Sequence, residues 1–315
     1  MLKDQLKRKL VMTILARNEE DIIDQHIKFH LSHGVDFFIA TDNGSTDKTK
    51  DIFLKYQEKG VLHLIEEKDH NYNQDKWVDK MIKIARKQYD ADWIINSDAD
   101  EFWYSDSGNL KLALPYIDNT KVLFVCALHS DPVDYEGEFK IPKYISGKAS
   151  GPFKCMFAAK GYKKIYKGNH NVKMFPFFRK AKISTQITIF HFSVRSYNHY
   201  KKKIINGAQA LERNPRFNYT IGAHIRQAYE EYKKGNLRKT YDEIKQKNTE
   251  CLSYIKQDSR LSDYVVNGYK SMNSSLYQRD FYNGKAAKTY SGKTVLHKIR
   301  SRLKKYQNYV SKFFK

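Results

Sequence analysis

Residues Leu10–Ala16 are apolar apart from Thr13 and are bounded by Lys9 and Arg17, the pattern of a strand buried on both faces. Ile22, Ile23, Ile27, Phe29 and Leu31 then recur at helical spacing until Gly34, and Asn18 stands where a cap is expected. A second apolar run over residues 35–40 predicts a strand. The turn-forming residues 42–47 follow it, then a helix carrying Ile52, Phe53 and Tyr56 that Gly60 stops. Residues 61–65 predict a third strand. Residues 74–89 predict a long helix with Trp77, Met81, Ile84 and Ala85 on one face, and residues 92–96 a fourth strand. The first hundred residues therefore read β-α-β-α-β-α-β. Such alternation predicts a parallel sheet covered on both faces, with ligands beyond the carboxyl ends of its strands. The loops at those ends are residues 17–20, 42–47 and 97–102.

Past Asp106 the pattern is mixed. Residues 121–129 predict a strand, 131–151 a long loop, and 153–192 further strands ending at 188–192; from Ser196 the chain reads as mostly helical. In the last segment Leu296, Ile299, Leu303, Tyr306, Val310 and Phe313 are spaced by threes and fours, and residues 293–315 hold eight Lys or Arg and no acid. That is a basic amphipathic helix, suited to an anionic membrane surface or to docking on protein.

The 315 residues, 41% of them apolar, suffice for one large domain and a sizeable core. Net charge changes the picture. Lys and Arg number 57 against 35 acids, yet residues 1–110 carry 16 basic and 21 acidic side chains, which leaves 41 and 14 for the remainder. A basic surface of this kind faces an anionic partner. The longest apolar run, residues 122–128, is far short of the roughly 20 residues that a membrane-spanning helix needs. The N-terminal Lys3, Lys7, Arg8 and Lys9 ahead of an apolar run imitate a secretory signal, but the run passes into Arg17 without a small-residue cleavage site and reads as the first strand. Cys126, Cys155 and Cys251 form neither a disulfide framework nor a metal-ligand spacing, so a reducing cytoplasm is the expectation.

The candidate chemistry lies after the fourth strand, in Ser97-Asp98-Ala99-Asp100-Glu101-Phe102. Carboxylates two residues apart on extended chain project to one side, where they can grip one hard cation such as Mn²⁺ or Mg²⁺ together with phosphate oxygens. An Asp-x-Asp alone is also a common solvated turn; its place at a strand's carboxyl end favours the ligand role.

Arg17-Asn18-Glu19-Glu20, Asp42-Asn43-Gly44-Ser45-Thr46-Asp47 and Asp98-Ala99-Asp100-Glu101-Phe102, in this order, resemble the family-2-like glycosyltransferases. Gly168-Asn169-His170 and the stretch from His191 to Tyr197 resemble later motifs of the same subgroup. The resemblance implies an α/β GT-A fold over residues 1–200; beyond it the pattern itself reads as a helical region over 201–292 and the basic tail over 293–315, and residues 215–315 match no named family. It also implies a nucleotide-sugar donor, a divalent cation, and transfer of the sugar to an acceptor hydroxyl with inversion. By the family pattern Arg17, Asn18, Glu19 and Asp42 border the nucleoside, and Asp98 and Asp100 serve ribose, metal and diphosphate. Arg195 and the cluster Lys201-Lys202-Lys203 are candidate cations for the diphosphate. His191 and His170 are each a candidate third metal ligand, and Glu101, Asp131, Asp134 and His170 are candidates for the base that takes the acceptor's proton. Glu101 has an alternative role in holding the metal loop rigid. The implied acceptor is a glycan or a lipid-linked sugar in cell-surface polysaccharide synthesis, reached from the cytoplasm with the tail on the inner membrane face. Two other functions compete. A nucleic-acid-binding protein lacks any recognisable module here, and a sugar nucleotidyltransferase expects a Gly-rich basic loop where residues 17–20 stand.

Overall fold

Leu10–Ala16 forms strand β1 over the bounds that its apolar run predicts, with no exposed side chain. The computed structural model describes residues 2–67, 74–115, 120–130, 139–142, 147–176, 180–212, 222–250 and 259–266. A short helix, α1 (Leu2–Leu6), precedes β1. Then α2 (Ile23–Ser32), β2 (Phe37–Asp42), α3 (Thr49–Glu58), β3 (Leu62–Glu66), α4 (Gln74–Lys87) and β4 (Trp93–Ser97) alternate as the periodicity predicts. β1 pairs in parallel with β2 and β4, and β2 with β3. The side-chain period of two divides β1 between two cores. Leu10, Met12 and Ile14 pack with Ile27, Phe29 and Phe53 of α2 and α3, whereas Val11 packs with Val78, Met81 and Ile82 of α4.

The second half adds β5 (Glu101–Ser105), β6 (Thr120–Ser130), β7 (Gly147–Ala158), the hairpin strands β8 (Tyr162–Ile165) and β9 (Val172–Met174), and β10 (Lys180–His191). They complete an eight-stranded sheet in the order β3-β2-β1-β4-β7-β6-β10-β5, with β8 and β9 paired apart from it. Four helices follow: α5 (Tyr197–Glu212), α6 (Ala223–Lys233), α7 (Leu237–Glu250) and α8 (Arg260–Val266). α5 runs across the boundary predicted at residue 200. Leu261 and Tyr264 of α8 join the core that lies beside α2. The described residues all belong to one unit, Met1–Ser271, and the basic tail over 293–315 lies outside the described residues. Among the described residues no helix is long and apolar enough to cross a membrane.

Three local expectations are corrected. Glu101 and Phe102 belong to a strand rather than to the loop predicted over 97–102, because Phe102 and Trp103 are fully buried and β5 pairs antiparallel with β10. β7 starts at Gly147, inside the loop predicted over 131–151. Asn18 does not cap α2, whose N-cap is Ile22 with no side-chain bond; its Oδ1 instead accepts from the Thr46 N–H at 2.8 Å.

β5 is an edge strand, and α2 covers its edge. His30 Nε2 accepts the Trp103 N–H at 3.0 Å and His33 Nε2 accepts the Ser105 N–H at 2.7 Å. Both rings are fully buried, and these bonds require them to be neutral. Gly34 then ends α2 at φ +97°, where a Cβ would lie 2.2 Å from Asn109 Oδ1, so only glycine fits.

Candidate functional site

The turn between β4 and β5 closes on itself. The Glu101 N–H donates to the Asp98 carbonyl and the Asp98 N–H to Glu101 Oε2, each at 3.2 Å. Asp98 and Asp100 therefore sit on a tight reversal and not on the extended chain expected of them. Lys154, from the middle of β7, reaches beneath this turn and places its Nζ 2.8 Å from both Asp98 Oδ2 and Glu101 Oε1. Burial opposes the ammonium charge, but Asp98 and Glu101 outweigh it and hold Lys154 protonated. Glu101 is fully buried, and burial together with the Asp98 charge pushes its carboxyl up to about 7. Glu101 has no exposed surface, and its carboxylate is turned to Lys154 and the Asp98 N–H.

The other side of the turn meets the end of β10. The Phe192 N–H donates to the Asp100 carbonyl at 2.8 Å, which sets His191 beside the Asp100 carboxylate with Nε2 3.3 Å from Oδ1. Lys203, on the first turns of α5, approaches Asp100 Oδ2 at 3.5 Å and remains half exposed. Burial would raise the Asp100 carboxyl, yet His191 and Lys203 hold it well below the usual carboxylate range. Burial would lower the His191 imidazole, and Asp100 overcomes this and raises it. His129, at the end of β6 in register with His191, sets its ring centroid 4.6 Å from that of His191, tilted by 51°.

At the tips of β1 and β2 lies a set of polar atoms sealed from solvent with no hydrogen-bond partner: Arg17 Nε, Thr41 Oγ1, Asp42 Oδ1 and Asn43 Oδ1. Buried polar atoms are costly when unmet, by about 1–3 kcal/mol each, so a ligand that met them would bind with that advantage. Arg17 and Asp42 thus hold open valences where a nucleoside was expected. Asn18 and Glu19 are placed differently. Asn18 laces its loop to the loop after β2 through Thr46. Glu19 Oε2 is engaged by Arg195 Nη2 at 2.5 Å. Arg195 is 1% exposed and also binds Asp21 through Nε at 2.7 Å and Nη2 at 3.0 Å. It ties the segment after β10 to the loop after β1.

Asn169 adopts φ +59° and donates through Nδ2 to the Asn96 carbonyl at the end of β4. The same turn sets His170 against β7, with Nδ1 3.1 Å from the Phe153 carbonyl. Asp131 and Asp134 lie outside the described residues. Sequence reasoning missed Lys154 and His129, which carry no signal beyond one polar residue in a strand. Within the cluster Lys201-Lys202-Lys203, Lys203 reaches a site carboxylate, whereas Lys201 lies over the Tyr232 ring.

The donor chemistry fits a hard divalent cation. Asp100 and His191 face each other and Asp98 is on the same turn, although no group of three His, Cys, Asp or Glu side chains is set to hold a metal among the described residues. Two protein ligands completed by diphosphate oxygens is a common arrangement for such ions.

The family described as glycosyl transferase family 2 matches residues 13–202. Among solved structures, the crystal structure of S. aureus TarS 1-349 is similar at 14% identity, over 69% of this chain and 69% of that one, with a TM-score of 0.40. The glucosyl-3-phosphoglycerate synthase of Mycobacterium tuberculosis, solved with Mn²⁺, uridine diphosphate and glucosyl-3-phosphoglycerate, is similar at 17% identity over 40% and 46% of the two chains, with a TM-score of 0.27. Likenesses this distant carry no argument about the chemistry of this chain. No curated protein matches the sequence.

Proposed function

The chain belongs to glycosyl transferase family 2, and from that premise we propose a metal-dependent, inverting transfer of a sugar from a nucleotide-sugar donor to the hydroxyl of a glycan or lipid-linked acceptor. The enzyme is a nucleotide-sugar glycosyltransferase with the α/β GT-A fold of that family. The observation that supports the finer reading is one arrangement: an acidic turn ringed by His191, Lys203 and Lys154, next to unmet polar atoms on Arg17, Thr41 and Asp42.

In this reading Arg17 and Asp42 bind the nucleoside, and Asp98, the more open of the two aspartates, serves the ribose. Asp100 and His191 would hold Mn²⁺ or Mg²⁺, which when bound supplies positive charge to the diphosphate leaving group. Lys203, half exposed between Asp100 and the Ser193 carbonyl, adds a second cation that a phosphate can recruit. Lys154 and Glu101 hold the turn. Arg195 acts as the tie described above, with the diphosphate left to Lys203. The acceptor's proton goes to His170 or to Asp131. The tail over 293–315 would keep the enzyme near an acceptor on the inner membrane face, within cell-surface polysaccharide synthesis.

Purified protein incubated with a panel of nucleotide-sugars and Mn²⁺ should release free nucleoside diphosphate. Asp100→Asn, which removes a ligand while keeping shape, should lower that release at least about a hundredfold and abolish the metal-assisted part of nucleoside diphosphate binding in calorimetry. Full turnover in the variant, or in chelator, would defeat the metal assignment. Pyrophosphate made from a nucleoside triphosphate and a sugar phosphate would replace the reading with nucleotidyl transfer.

A further inference from the structure

The β8–β9 hairpin has two unlike faces. Tyr162, Ile165, Val172 and Met174 are buried and join the core of α4, while Lys163, Lys164 and Lys173 are exposed on the other side. A bulge between Tyr162 and Lys164 turns two consecutive lysines outward, and the register then sets Lys164 directly opposite Lys173. Like charges facing each other across a strand pair are destabilising, so folding alone does not favour this pattern. Two aromatic rings flank the lysines. Phe175 is 54% exposed with Lys163 Nζ 5.3 Å from its centroid, and Tyr166 is 41% exposed with Lys164 Nζ 6.0 Å from its centroid.

The charge extends onto α4, which β8 meets through a bond from Tyr162 Oη to Asp79 Oδ1 at 2.8 Å and one from Arg86 Nη1 to the Tyr162 carbonyl at 3.3 Å. There Lys76, Lys80, Lys83 and Lys87 are exposed around a groove of about 460 Å³ that Asp79 also lines, pairing with Lys83 Nζ at 2.6 Å and leaving the lysines in excess. An ordinary soluble surface mixes both signs. On the hairpin the sequence supplies one sign alone, with no Asp or Glu between Glu138 and Glu212.

We propose that the outer face of the β8–β9 hairpin, with the exposed lysines of α4, docks on an anionic lipid surface. Two features select a bilayer over a soluble polyanion. Exposed rings beside lysines suit an interface where the ring enters the headgroup layer and the ammonium reaches phosphate, and each such lysine adds attraction to anionic lipid. A dissolved phosphate chain would recruit the lysines and gain nothing from Phe175. The hairpin is also rooted in the candidate site, because its connecting turn carries Asn169, bonded to Asn96, and His170. A bilayer held by this face therefore lies at the rim of the cleft. The proposal is independent of which donor the site uses and of the tail over 293–315.

The full chain should co-sediment with vesicles of phosphatidylglycerol and phosphatidylcholine, less so as salt rises, and not with phosphatidylcholine alone. Lys163→Glu/Lys164→Glu should weaken this at least about tenfold, and Phe175→Ser should weaken it further, with thermal unfolding unchanged in both. Vesicle affinity that survives both variants, or that disappears only when residues 293–315 are removed, would overturn the proposal. So would inorganic polyphosphate binding of equal strength that Phe175→Ser leaves untouched.

Discussion

Lys154, with only 7% of its side chain exposed, joins the fully buried Glu101 to the part-exposed Asp98. Removing Lys154 leaves the Glu101 carboxyl buried without its partner, a loss of roughly 3–5 kcal/mol for a buried pair. Lys154→Met should therefore lower the urea midpoint strongly, and adding Glu101→Gln to it should restore part of the loss; purely additive effects of the two substitutions would show that the groups are not coupled. None of this is visible in the local sequence. Asp98 and Asp100 announce themselves because they follow an apolar run, whereas a lone lysine on β7 gains its meaning from a contact 56 residues away. Arg195 was noticed for its motif, yet its partners Glu19 and Asp21 are fixed only by the way β10 returns to β1.

At the level of elements, the contrast between β1 and β5 shows what patterning carries. β1 is buried on both faces by its own helices, and a continuous apolar run is sufficient to reveal it. β5 begins with a glutamate, follows a turn and exists because β10 pairs with it, a long-range condition that no window of sequence contains. Its other edge depends on neutral histidines. Burial lowers His33 to about 3 and lowers His30 well below the usual imidazole value. Each is neutral in the fold and titrates near 6.5 when unfolded. The unfolded chain thus gains protons first, and stability that is complete above about pH 6.5 falls as the pH drops towards about 3. Unfolding free energies extrapolated from urea titrations at pH 7.5 and 5.0 should differ by on the order of 2 kcal/mol for each imidazole. His33→Gln, which keeps an acceptor for the Ser105 N–H, should reduce that slope, and an unchanged slope would remove His33 from the account.

Across the whole molecule, Arg195 spans the longest interval of any contact at the site, reaching Asp21 and Glu19 over 174 and 176 positions. It joins the parallel β3-β2-β1-β4 half of the sheet to the half that contains β10. Arg195→Met should cost about 3 kcal/mol in stability by leaving two carboxylates without a partner. Arg195→Lys should recover the charge but only part of the loss, since lysine lacks the planar fork that Asp21 accepts. If Arg195→Met instead left unfolding unchanged and raised KM alone, Arg195 would belong to donor binding.

The imidazoles above β5 have a counterpart at the far border of the sheet, where Gln57 Oε1 accepts the Leu64 N–H of β3 at 2.9 Å. Each outermost strand thus has main-chain donors already engaged by its own helix, and these positions offer no template on which another polypeptide can add as a ninth strand. Acidification disarms one of the two guards. As the pH falls towards about 3 the protein should consequently self-associate through β5 before β3, and turbidity on lowering the pH should track the loss of the histidine bonds.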